Sequence, residues 1–196
     1  MHWLLTALTL FLVLALSSPA QSQDCPLVAE SIGDMERAGF EGAYREGWYF
    51  GYERYANGCQ ESMANALASF RERHASELRA PELSAYRYRL FWNEGHHAAQ
   101  IGQYDRAAAL FRQAQSEPRR EYDAAFYDVY IAFFTRDRGG AQRARDALAS
   151  QFDARPLSEL QGQSASWQLA KLDGLLACFD RPYSEADTTC ARQFMH

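Results

Sequence analysis

The amino-acid sequence predicts an all-α protein, built as a right-handed helical-repeat solenoid of about three antiparallel helix hairpins with a C-terminal capping helix. Apolar residues recur at three- and four-residue steps along most of the 196-residue chain, which is the spacing of one helix face. No stretch alternates convincingly with the period of two that a half-buried strand requires. Ala141 also follows Ala107 by 34 residues, which predicts hairpins that repeat along the chain.

The clearest hairpin lies at residues 84–117. Gly95 interrupts an otherwise helical run, and a glycine there costs roughly 1 kcal/mol relative to alanine. We therefore expect Gly95 to mark a close approach of the second helix, which a Cβ would block. Gly102 can end the first helix by adopting a positive φ, and Pro118 ends the second. One face of the second helix carries Ala107, Leu110, Phe111 and Ala114.

This hairpin resembles a tetratricopeptide repeat, whose period is 34 residues. The residues that carry the resemblance are Gly95, Gly102, Tyr104, Ala107, Phe111 and Ala114. The hairpin departs from the pattern at Glu94, where leucine is usual, at Ala98, where tyrosine is usual, and at Pro118, which comes one residue early. The resemblance implies that the first helix of each hairpin lines a concave, partner-binding surface.

A second repeat is predicted at residues 121–150. Its first helix, from Glu121 to Thr135, is rich in aromatic residues. The segment from Arg138 to Gly140 is expected to turn the chain before a helix at 141–150, in which Arg145 replaces the expected phenylalanine.

The remaining segments complete a single domain at residues 21–196. A degenerate N-terminal hairpin is expected at 26–79, with its last helix reaching about Leu78. A capping helix is expected at 165–179, because leucines recur there at helical steps. The tail at 180–196 is expected to be irregular or briefly helical and held by a disulfide.

The first 20 residues read as a signal peptide, which makes the protein periplasmic or secreted. Residues 1–16 are almost wholly apolar, and Ser18 and Ala20 occupy the two small sites before cleavage. The run is short for a membrane span of roughly 20 residues, and it lacks lysine and arginine. A retained N-terminal anchor is the alternative interpretation. The mature chain contains no predicted transmembrane segment.

All four cysteines lie after the predicted cleavage site, and an even number in an oxidising compartment suggests two disulfides. Three pairings are open to four cysteines. A helix from 26 to 38 followed by an antiparallel one from 41 to 56 would bring Cys25 close to Cys59. Cys178 and Cys190 enclose a short turn-like segment. We therefore favour the pairings Cys25–Cys59 and Cys178–Cys190, with a structural role.

The tetratricopeptide resemblance implies a concave groove lined by residues from two helices. Those residues are Arg89, Trp92, Asn93, His96 and Gln100 from the best repeat, and Asp123, Phe126, Tyr127, Tyr130 and Phe134 from the next. Arginine and asparagine suit a peptide carboxylate or backbone, and aromatic residues suit apolar anchors. The alternative is that a short solenoid fills this face with its own cap helix, in which case the aromatic residues are core.

Charge and motifs exclude several functions. The net charge of −5 and the absence of a basic stripe argue against nucleic-acid binding. The sequence contains no metalloprotease motif, nucleophile elbow or phosphate loop, and predicts no cofactor and no metal. A weaker hypothesis is a metal-dependent hydrolase that uses His74, Glu94, His96 and His97, although neighbouring helical residues such as the last two point about 100° apart.

The sequence therefore predicts an exported, non-catalytic scaffold or adaptor that binds a protein or peptide partner in the cell envelope. A small periplasmic inhibitor or immunity-type protein, acting through a convex or loop surface, is the second hypothesis. Dimerisation through the aromatic face is left open.

Overall fold

The computed structural model describes residues 25, 28, 32–37, 39, 58–118, 123–154 and 165–194, and this part of the chain is helical with no strand. The predicted all-α class is confirmed for these residues. The predicted helix at 41–56 lies outside them. Six main helices follow in order: α1 (Gln60–Arg73), α2 (Ser84–Gln100), α3 (Tyr104–Ser116), α4 (Ala124–Phe134), α5 (Arg138–Ala154) and α6 (Ala165–Ala177).

The C-terminal segment is a chain of short helical elements that returns to the body of the protein. It consists of α7 (Tyr183–Glu185), a π-helical stretch (Ala186–Cys190) and α8 (Ala191–Phe194). Each of the helices α1 to α6 packs against the next one in the chain. The π-helical stretch and α8 pack on α6, and α7 packs on α2. Among the described helices, neighbours in the chain are thus neighbours in space, and the C-terminal elements return to α2 and α6.

The α2–α3 hairpin forms where the sequence predicts it. Gly102 has a φ of +78° and ends α2, as expected of a residue without a Cβ. A Cβ placed on Gly95 would lie 2.7 Å from Cδ2 of Phe111 and 3.3 Å from Cβ of Leu110. The mid-helix glycine therefore allows α3 to pack closely, as the sequence predicts.

The end of α1 differs from the prediction, because the helix stops at Arg73 and not near Leu78. A turn and two 3₁₀ segments, Glu77–Arg79 and Pro81–Leu83, follow it. Pro81 disfavours a helical conformation at the preceding residue, and Ala80 is extended with φ −59° and ψ 129°. The Arg87 guanidinium donates to the carbonyl oxygens of Leu78 and Ala80, which holds this segment against α2.

The start of α5 also differs, because the predicted turn residues Arg138, Gly139 and Gly140 are its first residues. The chain turns earlier, at Arg136, whose φ is +60°. Asp137 then acts as the N-cap, because its Oδ1 accepts the Gly140 backbone N–H at 2.8 Å. The Arg136 guanidinium donates to the carbonyl of Phe179 at 2.8 Å and so joins this turn to the end of α6.

Both predicted disulfide pairings are confirmed. Cys25 bonds to Cys59 at the N-terminal end, and Cys178 bonds to Cys190 at the C-terminal end. The first ties the residues before α1 to its start, and the second ties the π-helical stretch to the end of α6. Disulfide-bonded cysteines indicate an oxidising, extracytoplasmic location.

Candidate functional site

The residues predicted to line a concave groove lie mostly in the interior. Trp92 is 9 % exposed, Asn93 6 % and His96 3 %. From α4, Phe126, Tyr127, Tyr130 and Phe134 are all buried. Arg89, Gln100 and Asp123 keep partial exposure at the edges of this set.

Trp92 lies at the centre of an aromatic cluster formed by α2, α3 and α4. Its ring centroid is 4.4 Å from that of His96, 4.7 Å from Phe111 and 5.3 Å from Tyr127. The Phe126 ring stacks at 6.0 Å. Edge-to-face and offset contacts of this kind are the favourable arrangements of aromatic rings. The aromatic residues of the predicted groove are therefore core residues in this structure.

Tyr183, at the start of α7, closes the face that the sequence predicts to be open. Its side chain has no exposed surface, and its ring centroid lies 5.2 Å from that of Phe134. Its hydroxyl is hydrogen-bonded with Nδ1 of His96 at 2.5 Å, and its backbone N–H donates to the hydroxyl of Tyr104 at 3.0 Å. The chain's own C-terminal segment thus occupies this position.

Sequence reasoning missed Tyr183, because it assigned residues 180–196 to an irregular or briefly helical tail and gave their side chains no role in the core. One signal was available. The Cys178–Cys190 pairing forces the tail to turn back towards α6, and a tyrosine directly after Pro182 is placed near that turn. What the sequence does not contain is the direction in which the ring points.

His96, Lys171 and Asp187 lie near Tyr183 and interact with groups of the protein itself. Burial lowers the pKa of His96 to about 3, an effect that Asp187 opposes and Lys171 supports. Lys171 Nζ lies 3.3 Å from Oδ1 of Asp187, whose side chain is 2 % exposed. His96 is therefore a neutral ring at physiological pH, and its hydrogen bond to Tyr183 is a structural one. The Asn93 amide donates to the Arg89 carbonyl one turn earlier at 2.8 Å, so this donor serves its own helix.

Three of the four residues of the hydrolase hypothesis, His74, Glu94 and His96, contact partners outside the set. Glu94 is 2 % exposed and accepts hydrogen bonds from the guanidinium groups of Arg71 and Arg106. Nε2 of His74 lies 2.9 Å from Oε2 of Glu36.

His97, the fourth of these residues, has its pKa lowered to about 4 by burial, whereas His96 contacts Tyr183. In the described ranges, no group of three or more histidine, cysteine, aspartate or glutamate side chains is placed to hold a metal ion. The geometry gives the hydrolase hypothesis no support.

Two open pockets at the surface of the described residues combine apolar and charged side chains. One, of about 550 Å³, lies between α1 and earlier residues that include Cys25, Val28 and Ile32, and its surface is mainly apolar. The other, of about 420 Å³, lies between the end of α1 and α2 and contains three arginines, Arg71, Arg79 and Arg87. The second pocket contains three arginines and one glutamate, whereas the first contains one arginine and one glutamate, so the second is the more positively charged of the two.

Comparisons with known proteins add no identity. No family model, no curated protein and no solved structure matches this chain. Among the described helices, none combines the length and the apolar character needed to span a bilayer.

Proposed function

We propose that this chain is an exported, non-catalytic scaffold of helical hairpins that binds a protein or peptide partner in the cell envelope. The tetratricopeptide-like features of residues 84–117 support this proposal, as do the helices that pack in chain order. The two disulfides support export, because such bonds persist in oxidising compartments.

The observation that carries the proposal concerns Glu94, His96 and His74, the candidates for catalysis, each of which contacts a partner of its own. Glu94 is engaged by two arginines, His96 by Tyr183 and His74 by Glu36. A scaffold requires no such cluster, and it presents its function on its outer surface. Because Tyr183 closes the face behind Trp92, the partner contacts belong to the rim of that face, where Arg89 and Gln100 remain partly exposed.

Site-specific photo-crosslinking tests this proposal. A benzophenone amino acid replaces Arg89 or Gln100 in the oxidised, exported chain, and envelope extract supplies the partner. The matched control carries the same amino acid in place of Arg143 on α5, whose side chain is 77 % exposed. We expect a discrete crosslinked product from the rim positions and none from the control. Labelling at all three positions alike, or at none, would contradict the proposal.

The position of Tyr183 over the aromatic cluster also favours a second candidate, an inhibitor or immunity-type protein. This protein has a filled aromatic core and two disulfides, which make its outer surface rigid. A rigid surface is suited to occupy the cleft of an enzyme. Under this hypothesis the partner is an enzyme that contacts a convex or loop surface, so the rim positions give no crosslinked product and one equivalent of the purified chain abolishes the enzyme's activity. A crosslinked product of twice the chain's mass would instead identify a homodimer.

A further inference from the structure

The pocket between the end of α1 and α2 has an apolar floor and a charged rim. Leu78 is 4 % exposed at the floor, and Phe91 and Ala75 extend the apolar surface. The volume of about 420 Å³ falls within the range of small-ligand sites, roughly 300–1,000 Å³. The space therefore suits an apolar group the size of an aromatic ring and its linker.

Arg87 builds one wall of this pocket. Its Nε and Nη2 donate to the two carboxylate oxygens of Glu117 at 2.8 and 2.9 Å. Its Nη1 donates to the carbonyl oxygens of Leu78 and Ala80. Since its charge is balanced by Glu117 and its donors are largely used, Arg87 positions the wall and does not provide the charge for a ligand.

Arg71 contributes part of the available positive charge. Its guanidinium lies over the Phe91 ring, 5.4 Å from the ring centroid, and its Nε donates to Glu94 at 3.2 Å. The same carboxylate also accepts from Arg106 at 2.9 Å. One buried carboxylate thus serves two guanidinium groups, and the group of three retains a net positive charge beside the pocket.

Arg79 contributes the rest of the positive charge that is available to a ligand. It is exposed on the rim, and its side chain makes no hydrogen bond or ion pair with any other residue that the structure describes. Glu72, also on the rim, adds one negative charge nearby. Together, these side chains give the pocket a small net positive charge. That charge suits a ligand with one negative charge and is poorly matched to a dianion such as a phosphate monoester.

We propose that this pocket binds an apolar molecule that carries a single carboxylate. The carboxylate pairs with Arg79 and Arg71, and the apolar part lies against Phe91 and Leu78. This site is separate from the rim residues Arg89 and Gln100 on which the scaffold function is tested, so either proposal can fail without the other.

The test compares ligands of one shape and different charge. 3-Phenylpropionate, its neutral amide and benzyl phosphate are titrated into the oxidised full chain, and binding is followed by calorimetry and by NMR shifts. A charge-assisted hydrogen bond contributes roughly 1.5–3 kcal/mol, so we expect the acid to bind at least about tenfold more tightly than the amide. We expect benzyl phosphate to bind more weakly than the acid.

Variants locate the site. Arg79→Gln should weaken binding of the acid about tenfold or more, and Arg79→Lys should restore part of it because the charge is kept. Ala75→Phe should block the pocket without changing its charge. Arg143→Gln, a change of the same chemistry on exposed α5, should leave binding unchanged. All three positions, Arg79, Ala75 and Arg143, are exposed, so the four variants are expected to fold.

Two further probes identify the source of the carboxylate. One is an acetylated tripeptide that ends in phenylalanine with a free carboxylate, and the other is an amide-capped peptide with glutamate beside phenylalanine. Binding of either peptide at the affinity of the small acid, with the same loss in Arg79→Gln, would support a peptide source. Binding of the small acid alone would support a free metabolite.

Three results would overturn the proposal. Equal binding of the acid and the amide would show that charge is not recognised. Unchanged binding in Arg79→Gln would place the carboxylate elsewhere. The absence of binding by every probe up to about 10 mM, which corresponds to a free energy weaker than about −3 kcal/mol, would leave no site for this ligand class.

Discussion

Two neighbouring histidines on α2 carry the clearest consequence at the scale of single residues. Both rings are 3 % exposed, and their folded-state pKa values are lowered to about 3 for His96 and about 4 for His97. Burial is the main cause, because it disfavours the charged ring. In the unfolded chain an unperturbed histidine has a pKa of about 6.5.

The sign of the resulting pH dependence follows from these values. Below about pH 6.5 these two histidines bind protons in the unfolded chain but stay neutral in the folded chain. The free energy of unfolding therefore falls with decreasing pH. We expect a loss of roughly 1.4 kcal/mol per pH unit for each histidine, down to the folded-state pKa. Denaturant unfolding at about pH 7, 6 and 5 measures how the free energy of unfolding changes with pH. His97→Gln should remove about half of the slope, and a flat profile in the wild-type protein would contradict the assignment.

Single residues also mark the limit of what the sequence could predict about the candidate site. The tetratricopeptide resemblance places Trp92 and Tyr130 on one face, and in the structure their ring centroids lie 5.5 Å apart. Whether that face is open depends on Tyr183, which is 87 residues away from His96 in sequence. A hydrogen bond across such a distance leaves no local pattern to read.

At the scale of helices, the close contact between α2 and α3 depends on one missing methyl group. A Cβ on Gly95 would lie 2.7 and 2.8 Å from ring atoms of Phe111, which is itself fully buried among Trp92, Tyr130 and Phe134. The ring cannot retreat without disturbing this cluster. We expect Gly95→Ala to lower the free energy of unfolding by roughly 1–3 kcal/mol, despite the better helix propensity of alanine.

The matched control is Gly139→Ala, near the exposed start of α5. There the nearest atom to an added Cβ is the end of the Arg143 side chain at 3.2 Å, which can move. We expect this variant to be neutral or slightly stabilising. Chemical denaturation of both variants compares them directly, and equal stabilities would mean that α2 and α3 can separate without cost.

Helix positions were predictable where the signals are local. The hairpin predicted at residues 84–117 contains α2 and α3, because Gly102 and Pro118 act on their own neighbours. The start of α5 was predicted too late, since a glycine pair suggested a turn and the capping carboxylate of Asp137 was overlooked. The segment that follows the early end of α1 is held by Arg87 of the next helix, through the carbonyl oxygens of Leu78 and Ala80, and such contacts are not visible in the local sequence.

At the scale of the whole molecule, one disulfide lies in the N-terminal part of the chain and a second in the C-terminal part. Cys178–Cys190 holds the segment that carries Tyr183 over the aromatic core, and Cys25–Cys59 holds the residues that precede α1. Closing loops of this size contributes roughly 2–4 kcal/mol each, mainly by restricting the unfolded chain. A protein of this design therefore depends on reaching a compartment in which the thiols can oxidise.

Since the chain must be exported for its thiols to oxidise, the predicted signal peptide should be removed. We expect the exported protein to begin at Gln21, since Ser18 and Ala20 provide the small residues that precede a cleavage site. Intact-mass measurement should find the chain without its first 20 residues and four hydrogens lighter than the fully reduced form. Ala20→Leu should leave uncleaved precursor, whereas Ala15→Leu, inside the apolar run, should be processed normally. An exported chain that still begins at Met1 would instead establish the N-terminal segment as a retained anchor.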